Sequence, residues 1–141
     1  MNESYEPRII AMVCNWCTYT AADLAGTSRL SYPSNVRMVR FMCTGMIDAK
    51  YIIKAFLDGA DGVFIGGCHP GDCHYINGNI KAEKRISGVG TVLEQFGFDP
   101  ERLKLAWIGA SEGPEFQKHM TTFVEKIKEM GPGPARFRMV L

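Results

Sequence analysis

Four short apolar runs, each followed by a stretch with helical spacing, constrain the fold of this chain more than anything else in its sequence. The runs are Arg8-Ile9-Ile10-Ala11-Met12-Val13, Val36-Arg37-Met38-Val39-Arg40-Phe41-Met42, Gly62-Val63-Phe64-Ile65-Gly66 and Leu103-Lys104-Leu105-Ala106-Trp107-Ile108. Each is short and rich in β-branched or aromatic residues, as sheet strands are. In the second, Arg37 and Arg40 are expected to share one face. Helical patterns fall between and after the runs. One spans Tyr19 to Arg29. Another spans Ile47 to Asp58, pairing Ile52 with Phe56 and Ile53 with Leu57, and Gly59 stands where a glycine ends a helix. Ile80, Ile86, Val89, Leu93 and Phe96 trace a third stripe, which Gly88 and Gly90 weaken by up to about 1 kcal/mol each. Phe116, Met120, Phe123, Ile127 and Met130 form the most regular stripe, with Pro114 in its first turn and Gly131 at its end.

Strand–helix alternation of this kind folds as a parallel sheet with helices on both faces and right-handed crossovers. The expected fold class is therefore α/β, a single open four-stranded parallel sheet of flavodoxin-like type. A length of 141 residues suits one domain. That domain is expected over residues 1–131. The Gly131-Pro132-Gly133-Pro134 break ends the last helix, and residues 132–141 then form an extension. Residues 135–141, Ala-Arg-Phe-Arg-Met-Val-Leu, mix large apolar side chains with arginine, a composition suited to a docking arm on another chain.

Sixteen Lys and Arg balance fifteen Asp and Glu, a net charge of +1, so there is no electrostatic footprint for nucleic acid. No apolar run approaches the roughly 18 residues of a membrane span. The opening Met1-Asn2-Glu3-Ser4-Tyr5-Glu6-Pro7 is polar and does not resemble a signal peptide. The expected location is cytoplasmic, with neither nucleic acid nor membrane as partner. Five cysteines in a reducing compartment read as ligands or redox groups rather than structural disulfides.

Their placement is the most specific signal in the chain. Cys14 and Cys17 follow the first strand, Cys43 follows the second, and Cys68 and Cys73 follow the third. The carboxyl ends of parallel strands lie along one edge, where ligands bind. Helix N-termini point to the same edge and stabilise thiolates. Glycine-rich turns at Gly66-Gly67 and Gly71 add backbone N–H groups of the kind that compensate the negative charge of an iron–sulfur centre.

Three chemistries fit these residues. One is an iron–sulfur centre. A second is a dithiol redox motif at Cys14-Asn15-Trp16-Cys17. The third is zinc, with Cys14-x2-Cys17 as a half-site and His69 and His74 flanking the other cysteine pair. The spacing matches neither common ferredoxin run. His119 falls at a polar position of the last helix and is expected at the surface. Trp16 either packs over the thiols or fills the core. No phosphate-binding glycine motif and no hydrolase motif is present.

Several segments resemble the delta (iron–sulfur) subunit of methyl-viologen-reducing nickel–iron hydrogenases. They are Cys14-Asn15-Trp16-Cys17, Ala22-Asp23-Leu24-Ala25-Gly26, Tyr32-Pro33, Met42-Cys43, Ile53-Lys54-Ala55-Phe56 and Ala110-Ser111-Glu112-Gly113. The most specific is Gly67-Cys68-His69-Pro70-Gly71-Asp72-Cys73-His74-Tyr75. The likeness spans roughly residues 7 to 131. It implies one 2Fe–2S cluster in an electron-bifurcating complex of methanogen type. The large and small hydrogenase subunits, or a formate dehydrogenase, would supply electrons. The flavin-containing heterodisulfide reductase A subunit would receive them. The family's cysteine positions carry over to Cys14, Cys17, Cys43, Cys68 and Cys73, one more than a 2Fe–2S site needs. The preferred set is Cys43, Cys68 and Cys73, completed by one or both of Cys14 and Cys17.

Overall fold

The structure, a computed structural model, describes residues 5–31, 33–71, 73 and 77–135. Among these, four strands and four α-helices alternate: β1 (Ile9–Cys14), α1 (Thr18–Thr27), β2 (Val36–Phe41), α2 (Ala49–Leu57), β3 (Gly62–Gly67), α3 (Gly78–Gln95), β4 (Leu103–Trp107) and α4 (Gly113–Met130). Short 3-10 turns at Thr44–Met46 and Pro100–Arg102 precede α2 and β4. All strands are parallel, in the order β2-β1-β3-β4. This is the start of the flavodoxin-like order, and it reverses direction between β1 and β3. Among the described residues, no helix is long and apolar enough to cross a membrane.

The central strands bury both faces, which is why β1 and β3 read as unbroken apolar runs. On one face Ile9, Ala11, Val13, Phe64 and Ala106 meet Ala21, Ala22 and Ala25 of α1 and the Phe116, Met120, Phe123 and Ile127 stripe of α4. On the other, Met12, Val63 and Ile65 meet Ile52 and Phe56 of α2 and Val89 and Leu93 of α3. Asp48 starts α2 by accepting the Lys50 N–H at 3.0 Å. Gly59, at φ 109°, ends it as expected, its N–H donating to the Phe56 carbonyl. Helix α3 continues through Gly88 and Gly90, carried by its packing on the sheet.

Two expectations need correction. Arg37 and Arg40 do not share a face, because residues three apart on a strand of period two point to opposite sides. Arg40 turns toward α1 and lies over the Tyr19 ring, 5.0 Å from its centroid. His119 is half-buried, not a surface side chain. Its ring stands 6.1 Å from that of Phe64, and burial lowers its pKa.

The beginning of the C-terminal extension packs on the domain. Arg102, almost fully buried, donates to the Asp61 carbonyl at 2.9 Å and to the Pro132 carbonyl at 3.3 Å. The Asp61 carboxylate accepts the Arg8 N–H and the Gly133 N–H, each at 2.8 Å. Ala135 is buried in the second core, so the first residues past Gly131 are fastened to the sheet. Of residues 132–141, where a docking arm was expected, 132–135 pack on the domain, and 136–141 lie outside the described residues.

Asp61 therefore ties together the entry to β1, the entry to β3 and the chain after α4. Asp61→Ala takes this acceptor from the Arg8 and Gly133 N–H groups, at about 1–3 kcal/mol for the buried Gly133 bond. The expected result is a lower denaturation midpoint and faster protease cleavage near Gly133. Unchanged cleavage would show that the Arg102 contact with Pro132 and the packing of Ala135 suffice to hold the extension.

Candidate metal centre

Cys14 is the last residue of β1, so its position is fixed by the strand itself and not by the loop beyond it. The two residues after it form a turn, and Cys17 immediately precedes α1. Cys43 occupies the N-terminal cap of the 3-10 turn after β2, where its Sγ accepts the Gly45 N–H at 3.3 Å. Cys68 directly follows β3, and Cys73 lies five residues on. All of the five but Cys73 are buried.

The sulfurs form a triad and a pair. Cys14, Cys17 and Cys68 place their Sγ atoms within 4.8 Å of one another. Cys14 and Cys68 are 3.7 Å apart, and Cys17 and Cys68 2.7 Å. Cys43 and Cys73 stand 3.8 Å apart, and Cys73 packs against the triad. The triad comes from β1 and β3, the strands between which the sheet order reverses, and that crevice is where open α/β sheets bind ligands.

Charge is the central problem of this site. Hydrogen bonds from the Cys17 and Cys68 thiols push the Cys14 pKa far below the ordinary thiol value. Donation to Cys14 raises Cys17, and the same bonding together with burial raises Cys68. Burial raises Cys43. The assembly thus holds one thiolate readily and resists a second. A cation seated among the sulfurs removes that resistance, because metal binding replaces the thiol protons.

His69 is not part of the thiol group. Its ring Nε2 is paired with the Glu112 carboxylate, whose Oε1 also accepts the Gly109 N–H at 2.6 Å. These two contacts, the backbone one first, lower the Glu112 pKa. His69 thus anchors the β3 loop to the start of α4. His74 lies outside the described residues. Trp16, between Cys14 and Cys17 in the chain, is 42% exposed, and Met42 and Met46, at 45% and 56%, flank Cys43. Trp16 therefore does not fill the core; it stands at the surface of the cysteine loop.

Sequence reasoning missed the residues that hold the loops. Asn79, fully buried at the start of α3, donates from Nδ2 to the Cys68 carbonyl at 2.8 Å and to the His69 carbonyl at 3.0 Å. Arg85, farther along α3, donates from Nη1 to the Gly45 and Ile47 carbonyls at 2.8 and 2.7 Å. The Thr18 hydroxyl, beside Cys17, donates to the Ile108 carbonyl at 3.2 Å. A polar residue at a helix start reads in sequence as capping. Here its side chain reaches back to the preceding loop.

Asn79→Ala removes both loop contacts, a loss of about 1–3 kcal/mol. In metal-free, reduced protein, Cys68 should then react faster with an alkylating reagent. Asn79→Asp should not restore protection, because a carboxylate cannot donate to the two carbonyls. Wild-type reactivity in both variants would show that the loop is held by its own turn.

Comparison with known proteins places the chain among sequence relatives. The family model described as methyl-viologen-reducing hydrogenase, delta subunit, matches residues 9–131. The chain is 52% identical over 132 residues to the iron-sulfur D subunit of the F420-non-reducing hydrogenase vhc of Methanococcus voltae, covering 94% of this chain and 92% of that protein. It is 48% identical over 132 residues to the iron-sulfur D subunit of the F420-non-reducing hydrogenase of Archaeoglobus profundus, covering 94% and 96%. It is also 43% identical over 131 residues to the A subunit of the ferredoxin:CoB-CoM heterodisulfide reductase of Methanosarcina mazei, covering 93% of this chain but 16% of that longer protein. On the match over residues 9–131 and these identities, the chain belongs to the methyl-viologen-reducing hydrogenase delta-subunit family.

Proposed function

We propose that this chain is an electron-transfer subunit that holds one 2Fe–2S cluster on its strand-end thiols. It would relay electrons in the cytoplasm from a hydrogenase, or a formate dehydrogenase, to the A subunit of a heterodisulfide reductase in an electron-bifurcating complex. The observation that carries this reading is the sulfur spacing. Two thiolates on one tetrahedral metal, with bonds of about 2.3 Å, stand about 3.8 Å apart. Cys14 with Cys68 at 3.7 Å, and Cys43 with Cys73 at 3.8 Å, each have that spacing. Two such pairs side by side fit two irons with two thiolates each. Cys17 belongs to the same triad as Cys14 and Cys68, and we assign it as the fifth, non-ligating cysteine because its 2.7 Å approach to Cys68 lies off the spacing of a ligand pair.

Bound there, the cluster supplies one-electron chemistry. The chain's own groups do the rest. The Gly45 N–H donates to the Cys43 sulfur and the Cys17 thiol lies beside Cys68, so both can stabilise negative charge on ligand sulfurs. Trp16, Met42 and Met46 border the cysteines with exposed apolar surface, a composition that protein interfaces favour. A relative built into the A subunit of a heterodisulfide reductase supports such a protein as the neighbour. The relatives named as hydrogenase subunits support hydrogenase as the donor.

A zinc site would use the Cys14, Cys17 and Cys68 triad and leave the Cys43 and Cys73 pair unexplained. A simple dithiol at Cys14 and Cys17 leaves the Cys43 and Cys73 pair without a purpose.

Anaerobically purified protein should contain about two irons and two sulfides per chain. Cys43→Ser and Cys73→Ser should lose the cluster's EPR signal while keeping the far-UV circular dichroism, because both cores lie on the sheet faces away from the thiols. Cys17→Ala should keep the signal. Stoichiometric zinc without iron would overturn the proposal.

A further inference from the structure

Helix α3 begins at Gly78, whose φ lies outside the left-handed region, so its backbone does not require glycine. Within a helix glycine is the less stable choice relative to alanine. What glycine supplies here is space. A Cβ at position 78 would lie 2.1 Å from the Cys43 Sγ and 3.4 Å from the Cys73 Sγ. The Cys43 side chain has little room to retreat, being 3% exposed with its sulfur held by the Gly45 N–H. Gly45 meets the same spot from the other side, since a Cβ there would lie 2.9 Å from the Gly78 Cα. Two turns along α3, Arg85 fastens the loop by the Gly45 and Ile47 carbonyls. The neighbouring Asn79 fastens the Cys68 loop. The first turn of α3 therefore touches both loops that bring ligands to the pair and the triad.

We propose that Gly78 is a positioning residue for the metal centre: by lacking a side chain it lets the start of α3 press directly on Cys43 and hold that sulfur beside Cys73. The cluster consequences rest on the 2Fe–2S reading above, whereas the contact between Gly78 and Cys43 does not. The same helix provides a control. Gly88 and Gly90 have open space where a Cβ would stand. Alanine there changes helix propensity without touching a thiol.

The test is a double-mutant cycle in the full chain. Thermal midpoints are measured on reduced, metal-free Gly78→Ala, Cys43→Ala, the double variant and Gly88→Ala. Gly78→Ala is expected to melt below wild type or to fail to fold, and Gly88→Ala to melt at or above it. In the Cys43→Ala background, where the sulfur is gone, Gly78→Ala should carry no penalty. After anaerobic reconstitution, iron binding in Gly78→Ala should be roughly tenfold weaker or worse, with an altered EPR signal, as for changes that misplace a ligand. Gly88→Ala should load like wild type. A penalty that persists undiminished without Cys43, or a Gly78→Ala protein with the wild-type midpoint and EPR signal, would overturn the proposal. Wild-type protein that takes up no iron would overturn the cluster reading, and the metal-free cycle would still decide whether Gly78 acts through Cys43.

Discussion

The parallel ladder around β1 sets the position of everything else. Ile9 pairs with Val36 on one side and with Gly62 on the other, so the three strands start level. They also finish level: Cys14 faces Phe41 across one ladder, and Val13 faces Gly66 across the other. Cys43 and Cys68 then leave their strands at the same height as Cys14, which is why their sulfurs can meet. A one-residue slip of β1 would send Cys14 to the opposite face and move Ile9, Ala11 and Val13 out of their core. Burial on both faces of β1 therefore fixes the thiol geometry as firmly as any contact among the thiols.

Bringing buried sulfurs together creates an electrostatic cost that the fold only partly offsets. Stabilisation from the lowered Cys14 pKa is present above the ordinary thiol pKa and is lost as pH falls toward its folded value. The raised Cys17 and Cys68 act in the opposite sense, contributing below the ordinary thiol pKa and losing that contribution as pH rises. One thiolate flanked by two protonated thiols is the state in which both contributions hold in the metal-free protein. Metal binding exchanges those protons for a cation, so affinity is coupled to pH and to folding at the same groups. The cores on the two sheet faces carry no share of this cost, which separates the stability of the domain from the chemistry at its edge.

The strands and the α4 stripe were legible in the sequence because buried strands and amphipathic helices have distinct periods, and Gly59 and Gly131 mark helix ends plainly. The gathering of five thiols followed from the same pattern, since parallel strands share a carboxyl edge. Their division into a triad and a pair was not legible. It depends on how the loops after β2 and β3 curl, and those loops are held by Asn79 and Arg85 from a helix later in the chain. Arg37 and Arg40 were misjudged by ignoring strand parity. His119 is half-buried because a polar residue on a polar stripe can still lie tilted against an aromatic ring of the sheet. Nothing in the sequence singles out Gly78, because the steric demand of a sulfur thirty-five residues away leaves no local mark.

The two ends of the described chain meet at the edge of the sheet opposite the thiols. The Tyr5 hydroxyl donates to the Gly131 carbonyl at 3.0 Å, and Asp61 binds the N–H groups of both Arg8 and Gly133. Chain joined at either end would therefore attach at the amino-terminal edge of the strands. The thiols and the exposed Trp16, Met42 and Met46 lie at the carboxyl edge. A unit whose described ends are adjacent and lie opposite its thiols can serve by itself or as one segment of a longer polypeptide with no change to its core. In either setting the constraint on a neighbour is the same. To reach the thiols it would approach along the strand direction, over the three loops that carry the cysteines, because the two faces of the sheet are covered by helices.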